Sequence, residues 1–307
     1  MAEIMQPAGV WTFDGETLRI VPGTGRGVPP LRRALGEVTV PLRALAGIVF
    51  EPHHKRGGRL RLRLRAGADP LSHVAGGRLP ESSDPYQLPV EDGRGGVAEY
   101  LVDEVRQALL LDQIPDTPTE DWLLSGPSVP LTASASDGTA FFDGEEVTVE
   151  WNWVAEEHKK SGGPRRFTLA ELKTVEWTPS AGLENGSLRF HPHGSHAMTK
   201  PDHDPNCLTL WGVRQAKDAS CVLLAAAVVA RLPHPLASDP PAEQAGLPSG
   251  RAAQEAEGAV AAADPASPGA DHDDLLRRLR KLGELRTQGV LTEEEFTAAK
   301  KAVLARF

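Results

Sequence analysis

The sequence predicts an α+β protein: two tandem domains, each a bent antiparallel sheet or barrel closed by a C-terminal helix, then a disordered linker and an α-helical hairpin. Three observations support this prediction. The segment WTFDGETLRI (residues 11–20) returns as AFFDGEEVTV (residues 140–149), and the composition changes after residue 237. In addition, each copy reads as several strands followed by one helix. A recurring unit of about a hundred residues exceeds the period of solenoid repeats, so it indicates a duplicated domain.

The register of the repeat holds along both copies. Phe13, Asp14, Gly15 and Glu16 match Phe142, Asp143, Gly144 and Glu145, and further matched pairs are Leu42 and Leu169, Leu45 and Leu172, Ile48 and Val175, Gly58 and Gly186, and Asp84 and Asp204. We therefore expect Phe13 and Phe142, and likewise Leu45 and Leu172, to occupy equivalent positions in two similar folds. Asp14 and Asp143 each precede glycine, which indicates that they bond the backbone of a turn rather than act as general bases.

The elements of the first copy follow from periodicity and turn signals. Residues 10–21 alternate around an Asp-Gly turn, and a Gly/Pro-rich loop follows. The clearest strand is RLRLRLR (residues 59–65), whose leucines and arginines must point to opposite faces. Further strands are predicted over residues 37–40, 47–51 and 86–90, closing helices over residues 97–111 and 219–232, and domain boundaries at 1–115 and 128–236.

The segment VPLRALAGI (residues 40–48), its counterpart FTLAELKTV (residues 167–175) and the closing helices resemble the bacterial pleckstrin-homology-like families. The paired FDGE units resemble an uncharacterised bacterial family of tandem repeats of this kind. The resemblance implies two recognition domains of pleckstrin-homology-like fold. It also implies that a basic loop between the early strands is the position for an anionic ligand.

The last part of the chain changes character twice. Residues 237–270 are rich in Pro, Ala, Gly, Glu and Ser and contain no aromatic residue, which predicts a disordered linker. Residues 271–307 predict a helical hairpin, with Gly289 ending its first helix and Thr292 and Glu295 forming a capping box for its second. This segment resembles the SHOCT domain, which implies docking or self-association through Leu275, Leu279, Leu282, Leu285, Phe296 and Leu304.

Composition restricts the partners and the compartment. The chain has 307 residues and a formal net charge of −9, so general nucleic-acid binding is not indicated. The only cysteines, Cys207 and Cys221, predict reduced thiols rather than a disulfide framework. The longest apolar run, residues 221–230, would span about 15 Å as a helix, which predicts a buried helix and no transmembrane segment. No signal peptide is visible, and we expect a cytoplasmic protein.

The sequence contains no recognisable set of nucleophile, base and oxyanion donor, so we expect a non-enzymatic protein without a cofactor. A metal-dependent enzyme is the alternative raised by four histidines that lie close together: His191, His193, His196 and His203. No carboxylate or cysteine cluster stands at zinc spacing beside them. We therefore expect a solvated polar loop and no metal.

The basic strand and its flanking loop are the candidate ligand site. Its cations are Lys55, Arg56, Arg59, Arg61, Arg63 and Arg65, joined by Arg32 and Arg33 from the early loop. A solvated sheet face explains the same residues, and an anionic membrane or protein surface is the functional alternative. Because no exposed aromatic residues accompany the arginines, nucleic acid is disfavoured. The predicted function is a scaffold or adaptor with two recognition domains and an oligomerising or docking tail; the alternative is a peripheral binder of anionic membranes.

Overall fold

The computed structural model describes residues 1–53, 57–181, 184–195, 200–211 and 215–237. All of them belong to the first of two compact units, Met1–Glu243. Residues 238–270 of the predicted linker and the predicted hairpin 271–307 lie outside the described residues. So do the hairpin's proposed contact residues Leu275, Leu279, Leu282, Leu285, Phe296 and Leu304.

The first half of the unit has two antiparallel sheets and a closing helix. One sheet has four strands in chain order: β1 (Ala2–Gln6), β2 (Gly9–Phe13), β3 (Thr17–Pro22) and β4 (Val38–Pro41). The other has three: β5 (Leu45–His53), β6 (Gly57–Leu64) and β7 (Gln87–Val90). The helices are α1 (Pro30–Leu35) between β3 and β4, α2 (Pro70–Ala75) between β6 and β7, and α3 (Gly95–Leu111) at the end.

The second half repeats this order. Its four-stranded sheet contains β8 (Leu131–Ser134), β9 (Gly138–Phe142), β10 (Glu146–Trp151) and β11 (Arg165–Thr168). Its three-stranded sheet contains β12 (Leu172–Thr178), β13 (Gly186–Pro192) and β14 (Cys207–Leu210). A short helix α4 (Glu157–Lys160) lies between β10 and β11, and α5 (Gln215–Val229) closes the half. The predicted α+β class is confirmed.

The matched residues of the repeat occupy equivalent positions. Phe13 and Phe142 end β2 and β9, and both are buried. Leu45 and Leu172 begin β5 and β12, where each pairing with the next strand has an irregularity directly after the leucine. The apolar side chains at these sites anchor both sheets to the core. The duplication inferred from the sequence therefore holds at the level of single residues.

The alternation of β6 is as predicted. Leu60 and Leu62 are buried, whereas Arg59, Arg61 and Arg63 lie on the opposite face. The strand pairs with β5 along its whole length but with β7 only from Gly58 to Arg61. Its C-terminal end therefore has a strand neighbour on one side only.

Each half has its own hydrophobic core, and the core of the second half also includes residues of the first. Leu31, Leu71 and Val74 of the first half pack in the cluster that contains the core of the second half. They do so because α1 and α2 contact α5, which also contacts β8 and β12 of its own half. The predicted buried helix is thus confirmed, and every residue from Cys221 to Val229 is buried. None of the described helices combines the length and apolar character needed to cross a membrane.

The connection between the halves is also bound to the first half. Thr119 donates its backbone N–H to the Ala66 carbonyl at 2.8 Å, and Leu123 and Leu124 donate theirs to the Ala68 carbonyl at 2.9 and 3.0 Å. His234, which follows α5, lies 2.9 Å from the Gly67 carbonyl through Nε2. The domain boundaries 1–115 and 128–236 stay a prediction, because the halves are joined by contacts rather than separated by an open linker.

Candidate ligand-binding site

A cleft of about 1190 Å³ lies beside the C-terminal end of β6. Its walls are formed by residues 46–49 of β5, residues 61–64 of β6, parts of the segment 65–87, and Arg106, Leu109 and Leu110 of α3. The cleft exists because β7 stops pairing at Arg61, so that the chain leaves the sheet and returns through α2. It is larger than the roughly 300–1,000 Å³ of ordinary small-molecule pockets.

One wall of the cleft is fixed by a buried aspartate. Asp69 caps α2 by accepting hydrogen bonds from the backbone N–H groups of Leu71 at 3.2 Å and Ser72 at 2.8 Å, and from the Tyr86 hydroxyl at 2.7 Å. Burial raises the pKa of Asp69, and burial together with the nearby Asp69 charge raises the pKa of Tyr86. Because its oxygens already accept hydrogen bonds from these donors, the Asp69 carboxylate stabilises the wall of the cleft and is not available to bind a ligand.

The arginines around the cleft form two groups, and the first is paired with carboxylates. Arg59 lies 2.5 Å from Glu81, and Arg61 lies 3.6 Å from Glu51 and 3.5 Å from Glu81. The charges of these two arginines are therefore compensated within the protein. Such partly exposed pairs add little stability, but they reduce the positive potential on this side of the cleft.

The second group consists of arginines held by backbone carbonyls. Arg63 donates from Nη2 to the Ala46 carbonyl at 3.4 Å, and Arg65 donates from Nε to the Thr117 carbonyl at 2.8 Å and from Nη1 to the Arg43 carbonyl at 2.9 Å. Arg106 on α3 donates from Nε to the Ile48 carbonyl at 3.2 Å. Among the described residues, no carboxylate forms an ion pair with any of the three.

Arg32 is not at a ligand surface. It is buried, and its Nη2 donates to the Gln87 carbonyl at 2.6 Å and to the Asp84 carbonyl, while burial lowers its pKa. This burial corrects the prediction that Arg32 faces a ligand, because its donors are used to join α1 to the start of β7. Arg33 is exposed, and Lys55 and Arg56 lie outside the described residues.

The second half contains the counterpart of Arg32. Lys159 on α4 is fully buried and donates from Nζ to Asp137 Oδ2 at 2.8 Å and to the Cys207 carbonyl at 2.8 Å. Cys207 begins β14 as Gln87 begins β7, and both follow the matched Asp-Pro pair. Each half therefore uses a buried cation between its third and fourth strands to bond the last strand of its second sheet.

The histidines do not form a metal centre in the described part of the chain, where no group of three or more His, Cys, Asp or Glu side chains lies together. His191 lies on β13 with Nε2 at 3.3 Å from Glu176 Oε2. His193 follows that strand, His203 ends a short 3-10 helix, and His196 lies outside the described residues. The metal-dependent alternative thus has no geometric support there.

A family model described as a domain of unknown function, DUF4429, matches residues 11–106 and 140–229. The two segments begin in β2 and β9, run to the closing helices, and together cover more than half of the chain. The chain belongs to the DUF4429 family. One DUF4429 repeat corresponds to one half of the fold, as the tandem repeat in the sequence predicted. A second family model, the short C-terminal domain SHOCT, matches residues 277–304, which confirms the predicted tail family. A search of the curated proteins finds no match.

The two DUF4429 repeats differ at the basic face. When β6 is aligned with β13 through Gly58 and Gly186, Ser187 is equivalent to Arg59 and His191 is equivalent to Arg63. Arg189 keeps the position of Arg61 but lies 3.3 Å from the buried Asp204. The basic face therefore belongs to the first repeat. Sequence reasoning missed Arg106, whose only signal was a cation on the closing helix within the predicted amphipathic segment.

Proposed function

We propose that this DUF4429 protein is a non-enzymatic scaffold or adaptor: a rigid platform of two recognition domains that its SHOCT tail makes multivalent. The observation that carries the proposal is the packing between the repeats, in which Leu31, Leu71 and Val74 of the first repeat join the core that contains α5 of the second. A platform of this kind presents two domains in a fixed relation. A self-associating tail then raises the effective concentration of binding sites without adding new contacts.

The order of elements supports a pleckstrin-homology-like fold for each repeat. Four antiparallel strands are followed by a separate three-stranded sheet and one closing helix, twice in the same order. We therefore propose that each repeat is a recognition module of this class. Recognition is a property of particular surfaces rather than of a fold, so the fold alone does not identify a ligand.

A cytoplasmic location is part of the proposal. The two cysteines are buried and are not joined by a disulfide. Burial raises the pKa of the Cys207 thiol to about 11, so this thiol is protonated and unreactive at neutral pH. Two buried thiols that form no disulfide fit a reducing compartment.

The test is the mass of the assembly in solution. We expect multi-angle light scattering to give a multiple of the chain mass for the full-length protein and the monomer mass after deletion of residues 271–307. A full-length double variant, Leu279→Asp with Leu285→Asp, should behave like the deletion because it places charge on the predicted apolar stripe of the hairpin. Glu284→Gln, a neighbouring change outside that stripe, is the matched control and should leave the mass unchanged.

If the deletion and the double variant both keep the mass of the full-length protein, the scaffold proposal is rejected. If the full-length protein is itself monomeric, self-association through the tail is rejected. A pull-down with and without the tail then asks whether the tail recruits a different protein.

A further inference from the structure

We propose that the cleft of the first repeat binds an acidic peptide segment of a partner protein that also carries apolar side chains. This inference rests on the scaffold role proposed above and names the ligand class of one of its domains. Four properties of the cleft support it. Three of its arginines are not paired with carboxylates among the described residues, its own carboxylates are already bonded to other groups, one wall is apolar, and the shape is recessed.

The charge comes from Arg63, Arg65 and Arg106. A guanidinium has five N–H donors in a planar fork. Arg63 and Arg106 each use one donor on a backbone carbonyl of β5, so the others remain available to a carboxylate. A carbonyl anchor orients the group without neutralising it, which reduces the entropy lost when a ligand is bound.

The carboxylates that line the cleft are bonded to groups other than Arg63, Arg65 and Arg106. Asp69 is occupied by the α2 N-terminus and the Tyr86 hydroxyl. Asp84 accepts from the Tyr86 backbone N–H at 2.9 Å and from Gln87 Nε2 at 2.8 Å. Glu81 pairs with Arg59 and Arg61. The guanidinium groups of Arg63 and Arg106 are thus the ones left for an incoming anion. Arg65 adds positive charge nearby, although each of its three nitrogens already donates to Thr117 or Arg43.

The cleft also has an apolar wall that an inorganic anion would not use. Leu110 on α3 is 79% exposed and Val49 on β5 is 37% exposed, and both line the cleft. Leu109, Leu64 and Leu79 lie along the same lining. A ligand that fills this space gains from burying apolar area as well as from ion pairs. Acidic side chains alternating with apolar ones on an extended peptide match both features.

The shape favours a peptide over a bilayer. The charged groups line a recess whose volume, about 1190 Å³, can hold several residues of a narrow chain. On one side of it, the half-exposed Glu51 and Glu81 surround Arg61. A flat anionic surface would meet these carboxylates and be repelled, whereas an extended segment can pass beside them.

The experiment uses the full-length protein and a fluorescein-labelled peptide of alternating glutamate and leucine, with binding followed by fluorescence anisotropy. We expect saturable binding that weakens with salt, and no binding of the peptide in which lysine replaces glutamate. The double variant Arg63→Gln with Arg106→Gln should weaken binding about tenfold or more. The matched control, Arg26→Gln with Arg166→Gln, removes two exposed arginines outside the cleft and should bind as the wild type does.

Each further result decides the proposal. Unchanged anisotropy with the glutamate-leucine peptide, or equal weakening by the two double variants, overturns it. Binding to phosphatidylserine vesicles without binding to the peptide overturns it in favour of a membrane surface. Thermal unfolding of both double variants checks that they fold. If the peptide fails to bind while deletion of residues 271–307 still lowers the assembly mass, the cleft assignment fails and the scaffold role stands; if neither effect is seen, both fail.

Discussion

The closing helices α3 and α5 stand at equivalent places in the two repeats but have different surroundings. The main contacts of helix α3 are with strands of its own repeat, and it buries Leu101, Val102 and Val105 while Tyr100 and Leu110 are exposed. Helix α5 lies between its own sheets and the helices α1 and α2 of the first repeat. The amphipathic pattern of α3 and the apolar run of α5 therefore specify the same element, the closing helix of a repeat. The number of neighbours, rather than the fold, decides how many faces of a helix must be apolar.

The largest expected effect compares the two buried cations. Lys159→Ala leaves the buried Asp137 carboxylate without its ion-pair partner, so we expect it to lower the free energy of unfolding by about 3–5 kcal/mol. Arg32→Ala removes a donor from two backbone carbonyls and a nearby cation from Asp84, but Asp84 keeps its bonds from the Tyr86 N–H and Gln87 Nε2. Its expected cost is about 1–3 kcal/mol. Urea unfolding measures both.

Lys160→Ala is the matched control for the cation comparison. It removes a neighbouring lysine whose pair with Glu157 lies at the surface, and it should cost less than about 1 kcal/mol. Equal losses for Lys159→Ala and Lys160→Ala would show that the buried ion pair does not hold the second repeat together.

The next effect compares the two helices directly. Leu224→Ala removes a fully buried side chain from α5, and we expect it to cost about 2–5 kcal/mol in urea unfolding. Leu110→Ala makes the same chemical change on the exposed part of α3 and should change stability by less than about 0.5 kcal/mol. A single transition for Leu224→Ala is expected because Leu31, Leu71 and Val74 of the first repeat pack in the core of the second and so couple the two repeats. Two separate transitions would contradict that coupling.

The smallest expected effect concerns the Asp-Gly turns, for which the two repeats should give the same result. Asp14 accepts hydrogen bonds from the backbone N–H groups of Glu16 and Thr17 at 2.9 and 2.7 Å, and Asp143 accepts from those of Glu145 and Glu146, both at 2.8 Å. These bonds lower the pKa of each aspartate below 3.8. We expect Asp14→Ala and Asp143→Ala to lower the unfolding midpoint by similar small amounts at neutral pH.

The pH dependence of this prediction follows from the lowered pKa values. The stabilisation is fully present above pH 3.8, the value in the unfolded chain, and is lost as the pH falls through the lower folded value. The difference between each variant and the wild type should therefore shrink in acid, as followed by circular dichroism from pH 7 downwards. A difference that widens below pH 3.8 would contradict the role assigned to these turns.

Much of the fold follows from local signals in the sequence. The period-two pattern of β6, the Asp-Gly turns and the apolar run of α5 each specify an element without help from distant residues. Strand β1 was not predicted because Gln6, a polar residue at a buried position, interrupts the alternation of apolar and polar residues. Its side chain accepts the Glu91 backbone N–H at 3.0 Å, a partner 85 positions away. Helix α2 escapes because six residues are too few to show a helical period, although Asp69, Pro70 and Gly76 mark its ends.

The candidate site is predictable only in part, for a related reason. The alternation of β6 places its arginines on one face, but it does not indicate which of them meet carboxylates. That depends on Glu51 of β5 and on Glu81, which lies in the loop after α2. The cleft is completed by Arg106 of α3, which is distant from β6 in the sequence. Likewise, an arginine in a Gly/Pro-rich segment reads as exposed. The burial of Arg32 depends on carbonyls more than 50 positions later in the chain.

The insertion of Leu31, Leu71 and Val74 into the neighbouring core has a practical consequence for anyone who divides this chain. A fragment that starts at residue 128 would expose the face of α5 that these side chains cover. An apolar surface exposed to solvent in this way promotes aggregation. The second copy therefore depends on the first to cover one face of its closing helix. A fragment for biophysical work should therefore keep both copies together.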